Sequence, residues 1–423
     1  KLASFVETLT DEGFDRDAML PVVGDAADPE ACRQVVAATM RRFGSLDVLV
    51  NNAGGAGPKR MLREIPFTEA ERDALGDAET MIASAMNLLG GPWNMSRAAV
   101  PHLSVGGSII NVSTIFSRTK YFGRIPYVVP KSGLNALSRG LARELGAGPK
   151  AIRVNTVYPG PIESERIDTV FAAMDELQDR KPGATSRRFR HLMTHRRPDS
   201  EGDLDYRYPK PDDVASTIVF LSSPESAAFS GHSFEVTNGM RVPAQSRAKL
   251  VSWPDDRLVD LRDHVVLILG GADVEEALVF ARRNASRGAR VIMAFRTLKA
   301  VGMARARMRN DEPEPVQLEH VDPLRRESLD QLFSMIAERF GRLDGVIVLP
   351  NTPNGQHGYA LSMAGDADVR GFVEQELVAP VAFASALARH LGSWRGLDHA
   401  PAITYVTNAD DGHGNRLNEI KRA

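Results

Sequence analysis

The sequence predicts two tandem α/β domains, each a doubly wound parallel sheet, and three observations point there. Short apolar runs that read as buried strands alternate with longer stretches of helical periodicity, the order that builds a parallel sheet covered on both faces. The chain also repeats itself: Asp25 and the turn Phe43-Gly44 return as Asp322 and Phe340-Gly341, each displaced by 297 positions, too regular to be chance. Finally, loops rich in glycine, proline and asparagine follow the strands at the end where such sheets take ligands.

In chain order, copy one begins with Val22-Val23-Gly24-Asp25, a helix running into Arg42-Phe43-Gly44, and a strand at 48 to 50. That strand leads into Asn51-Asn52-Ala53-Gly54-Gly55. Small residues there let the backbone approach a flat ligand, and asparagine amides tie neighbouring strands together. A long helix carrying Asn87 follows, then a strand at 108 to 112 that ends in Ser113-Thr114. Tyr127 and Lys131 come next, four residues apart at the start of a helix and so on one face, where the ammonium can stabilise a phenolate. Such a pair passes a proton to a carbonyl oxygen, and the hydroxyl of Thr114 or Ser113 can hold that oxygen in place. Leu134, Leu137, Leu141 and Leu145 form an apolar stripe that anchors this helix, and Pro130 predicts a start within one turn of itself. The next strand, 152 to 157, opens into Tyr158-Pro159-Gly160-Pro161-Ile162, a second loop of close backbone approach. The insertion from 163 to 211 holds Arg187, Arg188, Arg190, His191, His195, Arg196 and Arg197, which read as a solvated helix face, with an anion-attracting lid as the alternative.

Copy two reads as strand 265 to 269, the turn Gly270-Gly271-Ala272-Asp273-Val274-Glu275-Glu276, a helix and a strand at 290 to 295. Carboxylates in that turn repel a pyrophosphate, and Val274 fills space a backbone cradle needs. Leu349-Pro350-Asn351-Thr352 stands where copy one has its asparagine loop, no tyrosine follows Thr407-Asn408, and Leu417 stands four before Lys421. A non-catalytic, scaffolding copy is expected. The same offset places copy-one equivalents of 264 to 296 before Lys1, so the first domain is expected to lack its N-terminal β-α-β, and the second, stopping at Ala423 within a helix, to be truncated at its C-terminus. The expected domains are 1–245 and 261–423, with a linker at 246–260 around Pro254.

Composition narrows the function classes. A formal net charge of -2 and a pI near 6.6 give no global field for nucleic acid or an anionic membrane. No apolar run is long enough to span a bilayer, Cys32 is the sole cysteine, and the histidines show no metal-ligand spacing. A cytoplasmic protein without membrane, metal or nucleic-acid partners is the expectation.

Asn51 to Gly54, Asn87, Ser113-Thr114, Tyr127 with Lys131, Pro159-Gly160, and the closing Phe220-Leu221-Ser222-Ser223 through Glu235-Val236-Thr237-Asn238-Gly239 occur in one order and spacing. In this the first 240 residues resemble the short-chain dehydrogenase/reductase family, with its Rossmann-type fold. The resemblance implies Tyr127 as general acid, Lys131 as the residue that lowers its pKa and binds the nicotinamide ribose, Thr114 as the group orienting the carbonyl, and Asn87 as holder of a relay water. It implies cofactor contacts at Asp25, Asn51, Ala53, Gly54, Pro159, Gly160 and Ile162, besides Tyr127 and Lys131. Thr114 departs from the commoner serine, which leaves Ser113 as a rival hydroxyl.

A narrower resemblance lies in Ile109 to Arg118, in Tyr121-Phe122-Gly123-Arg124-Ile125-Pro126-Tyr127, in Tyr158 to Ser164, and in the degenerate second copy. These are similar to the N-terminal halves of the bifunctional malonyl-CoA reductases, which implies NADPH as cofactor, malonate semialdehyde as substrate and 3-hydroxypropionate as product. It also implies a C-terminal malonyl-CoA-reducing half as partner on the same polypeptide, and a homodimer. Arg118 and Arg124 then become candidates for gripping the substrate carboxylate, against the alternative of solvated loop arginines. A reductase of 3-oxoacyl thioesters and a non-catalytic nucleotide-binding or assembly subunit are the rival readings.

Overall fold

The computed structural model describes residues 2–118, 123–199, 201–240, 260–308, 316–350, 365, 370, 371, 373–391 and 401–405. The chain divides into two compact units, Lys1–Arg247 with Ala360–Val373, and Ala248–Tyr359 with Glu374–Ala423. Apart from Asp260, the expected linker lies outside the described residues, as do Tyr121, Phe122, Asn351, Thr352, Thr407, Asn408, Leu417 and Lys421.

In the first unit four strands pair in parallel in the order Leu46–Asn51, Leu103–Val112, Arg153–Pro159, Ser233–Val236. Successive side chains of one strand serve opposite faces. Ile109 packs with Val36, Ala99 and Leu141 of the helices on one side, whereas Ile110 packs with Val157 and Leu221 on the other. The sheet is thus covered on both faces, as the sequence predicts. Helix Pro29–Phe43 starts at Asp28, whose carboxylate accepts the Glu30 N–H at 2.9 Å, and stops at Gly44, held at φ 79°. Gly341 closes the helix Arg326–Phe340 in the same left-handed conformation, φ 69°. The repeated Phe-Gly turn is therefore a repeated helix stop, a place where a Cβ would be strained.

The second unit pairs five parallel strands in the order Ala402–Tyr405, Gly345–Val348, Val265–Gly270, Arg290–Phe295, Val316–His320. Its glycine turn is bonded to its own chain. The Ala272 N–H donates to the Pro350 carbonyl at 3.2 Å, and a Cβ on Gly271 would lie 1.8 Å from that oxygen. Asp273 caps the following helix by accepting from the N–H groups of Glu275 at 2.9 Å and Glu276 at 3.4 Å. Three backbone donors of this turn are thus used within the chain, beside a carboxylate, while a pocket lined by Gly270, Gly271, Ala272 and Arg296 stays open there.

One expectation about the Tyr127 helix is corrected. It runs Ile125–Gly146, so Pro130 sits in its second turn rather than its first. A proline there leaves the carbonyl four residues back without its helical donor. The buried Ser84 hydroxyl supplies one, donating to the Pro126 oxygen at 3.0 Å, and so permits the longer helix.

Candidate active site

At the carboxyl ends of the first unit's strands lies an open cleft of about 200 Å³. Three chain segments converge on it. The strand Leu103–Val112 delivers Val112, Ser113 and Thr114; the helix Ile125–Gly146 delivers Tyr127 and Lys131, with Arg124 just before it; and the loop after Arg153–Pro159 delivers Gly160 and Ile162.

A buried tether fixes the frame. The Asn51 amide donates to the Asn111 side chain at 2.8 Å and to Ser96 at 3.3 Å, and Asn111 donates in turn to Ser138 at 2.9 Å. Two strands and two helices are thereby locked in register, the tie that an asparagine after a strand predicts. Asn51 is consumed by this role, and Asn52, Gly54, Gly55 and Ala56 line the cleft instead, without Ala53. Gly54 packs closely on Leu88, whose side-chain end would have to shift to admit a Cβ, 2.8 Å away.

The two candidate hydroxyls differ in what they have left to give. Ser113 donates into the helix, to the Asn135 side chain at 2.6 Å and the Lys131 carbonyl at 3.2 Å. Thr114 instead accepts the Phe116 N–H at 3.3 Å, and its own hydrogen has no acceptor among the described residues. Lys131 is buried, its ammonium donating to the Val112 carbonyl at 2.6 Å. Burial pushes that lysine down to about 8, with the charge of Arg166 adding to the fall.

Cations crowd this end of the cleft. Arg124 is 5 % exposed, with its guanidinium 4.8 Å from the Tyr127 ring centroid. Lys59 is held below the ordinary lysine range by burial and then by Arg124 and Arg166. Arg118 is turned elsewhere, pairing with Glu235 at 2.6 Å and lying over the Tyr158 ring at 4.5 Å. Asn87 stands beside the lining, in a π turn Met86–Gly90, and donates to Glu79 at 3.4 Å. Asp25 is exposed away from the cleft, its carboxylate accepting the Ala27 N–H at 2.9 Å. Arg166 is a site residue that the sequence does not single out; its only signal is a place in the first turn after the Pro159-to-Ile162 loop.

Residues 1–191 match a family model described as enoyl-(acyl carrier protein) reductase. The 3-oxoacyl-[acyl-carrier-protein] reductase FabG of Staphylococcus aureus is 30% identical over 242 residues, 57% of this chain and 83% of that one. The 7alpha-hydroxysteroid dehydrogenase of Bacteroides fragilis is 28% identical over 57% of this chain and 81% of its own length. Among solved structures, the N-domain of a bacterial malonyl-CoA reductase with NADP is similar with a TM-score of 0.90 and 37% identity, covering 97% of this chain and 76% of that one. The C-domain of such a reductase, at 18% identity and a TM-score of 0.66, over 91% of this chain and 76% of that one, shares the fold. The tyrosine-lysine cleft and these relatives together place the chain in the short-chain dehydrogenase/reductase family.

Proposed function

We propose that the chain reduces malonate semialdehyde to 3-hydroxypropionate with NADPH, as the N-terminal part of a bifunctional malonyl-CoA reductase. The observation that carries this reading is the convergence of Tyr127, Lys131, Thr114 and Arg124 on one cleft whose lining, among the described residues, holds no carboxylate.

The cleft fits a nicotinamide cofactor in its shape. Gly54 and Gly160 give flat backbone where a ring must approach, and Asn52, Lys131, Pro159, Gly160 and Ile162 would hold that half, with Asp25 left to the adenine end. When bound, NADPH supplies the hydride. Thr114 donates its free hydrogen to the aldehyde oxygen and so fixes the carbonyl, while Ser113 braces the helix. Tyr127 delivers the proton to the same oxygen as negative charge develops there, and Lys131 supports the phenolate left behind. Proton transfer of this kind contributes about a hundred- to ten-thousand-fold in rate. The second unit has no part in the chemistry and serves as scaffold, with a homodimer and a malonyl-CoA-reducing half as further partners.

A second reading, reduction of 3-oxoacyl thioesters, is favoured by the Staphylococcus aureus relative. The experiment that separates them follows NADPH oxidation by the full-length protein with malonate semialdehyde and with a 3-oxoacyl thioester, and identifies the product chromatographically. Formation of 3-hydroxypropionate with little thioester turnover is expected. Preference for the thioester contradicts the assignment.

A further inference from the structure

The charges lining the cleft are all of one sign. Arg124, Lys131 and Arg166 are the cations among its described lining residues, and none of those residues is an aspartate or glutamate. Arg124 and Lys131 belong to the helix of the reacting tyrosine and its N-cap, but Arg166 comes from another element, the helix Glu165–Leu177 of the long insertion.

That helix is firmly seated. Phe171 stacks on Phe189 with centroids 5.2 Å apart, and both pack with Met174, Met193, Tyr208 and Ile115. Ile167, Val170 and Phe171 line the cleft beside Arg166, so one face of the helix is turned to it. Arg166 stands in the first turn, where the helix dipole disfavours a cation. Its neighbours Glu165 and Asp168 do not line the cleft, and it makes no ion pair among the described residues. Two guanidinium groups and a buried ammonium thus share a space whose walls carry no carboxylate, an arrangement that is relieved when an anionic group enters.

The size of that group follows from Arg124. Its guanidinium lies 4.8 Å from the Tyr127 ring, so an anion held there sits close to a carbonyl that Tyr127 protonates. In a three-carbon acid-aldehyde the carboxylate carbon is roughly 2.5 Å from the aldehyde carbon, two bonds away. A long acyl chain would carry its charge past both arginines.

We propose that Arg166 is a specificity-determining residue, which together with Arg124 binds the terminal carboxylate of a short aldehyde substrate. The inference rests on the reductase reading and adds the residue that selects the substrate's charge. An arginine pair suits a planar carboxylate better than lysine because each fork offers two parallel donors.

The test uses the full-length protein with NADPH and two aldehydes of equal length, 3-oxopropanoate and propanal, for wild type, Arg166→Gln and Arg166→Lys. Circular dichroism checks folding, and NADPH affinity is measured separately by fluorescence. The ratio of kcat/KM for the charged over the uncharged aldehyde is expected to fall at least tenfold in Arg166→Gln, mostly through KM. Arg166→Lys is expected to recover part of it, with the NADPH dissociation constant within twofold of wild type. An unaltered ratio overturns the proposal, and so does a loss that resides in NADPH affinity, which would make Arg166 a cofactor ligand. Wild-type turnover of propanal as good as that of 3-oxopropanoate defeats this inference but leaves the reductase reading standing, whereas turnover of neither defeats both.

Discussion

Lys131 shows what a single residue of this site costs and gives. Its ammonium is buried against the Val112 carbonyl and pushed down to about 8. The sign of the consequence is fixed by linkage: between pH 8 and the ordinary lysine value of 10.5 the unfolded chain holds a proton that the folded chain has lost, so stability rises with pH across that window, and the full penalty is present below it. Lys131→Met, without nucleotide, is therefore expected to be more stable than wild type at pH 7 by about 1–2 kcal/mol, after the lost hydrogen bond is counted. Melting temperatures measured from pH 7 to 10 should show that advantage shrinking above pH 8, while reductase activity is lost throughout. The hydroxyl pair offers a companion test. Thr114→Ser should keep most of the turnover and Thr114→Val should lose about a hundredfold or more, whereas Ser113→Ala should act mainly on stability, through the bond to Asn135. Tyr127 and Lys131 are legible in the sequence because four-residue spacing on a helix makes them neighbours wherever the fold puts that helix. The choice between Ser113 and Thr114 is not, since it depends on which hydroxyl faces Asn135 from 22 positions away.

At the scale of elements, the Tyr127 helix is held open to its length by a bond from another helix. Ser84 replaces the donor that Pro130 lacks, so the two residues are coupled through one carbonyl. Ser84→Ala is expected to destabilise the first unit by about 1–3 kcal/mol, because the Pro126 oxygen is left buried without a donor. Pro130→Ala should recover much of that in the double variant, where the alanine N–H can reach the same oxygen. Chemical denaturation of the four proteins of the cycle measures the coupling, and simple additivity would show that the bond contributes nothing. The helix's stripe of leucines can be read locally, but its start cannot, for the compensating hydroxyl lies 42 positions upstream. Arg118 illustrates the same limit. Its position in the sequence places it near the site, but Glu235, from the far strand Ser233–Val236, takes its charge.

For the whole molecule, the duplication is the most legible feature, because helix stops and strand order repeat with a fixed offset and need no knowledge of packing. Decay of the second copy is also legible in Val274 and Glu276, and in three dimensions Gly271 packs tightly against the Pro350 carbonyl. Gly271→Ala is expected to weaken the second unit by about 1–3 kcal/mol or more through overpacking against that carbonyl. Calorimetry should then show one unfolding transition lowered and the other little changed; a uniform shift of a single transition would mean that the two units do not unfold separately. The central claim, that the first unit passes a proton from Tyr127 to a carbonyl, is tested most directly by the single-turnover rate of Tyr127→Phe in the full-length protein, with NADPH bound and malonate semialdehyde in excess. A rate at least a hundredfold below wild type, with the fold and NADPH affinity retained, is the expected result. Near-normal reduction by that variant would contradict it.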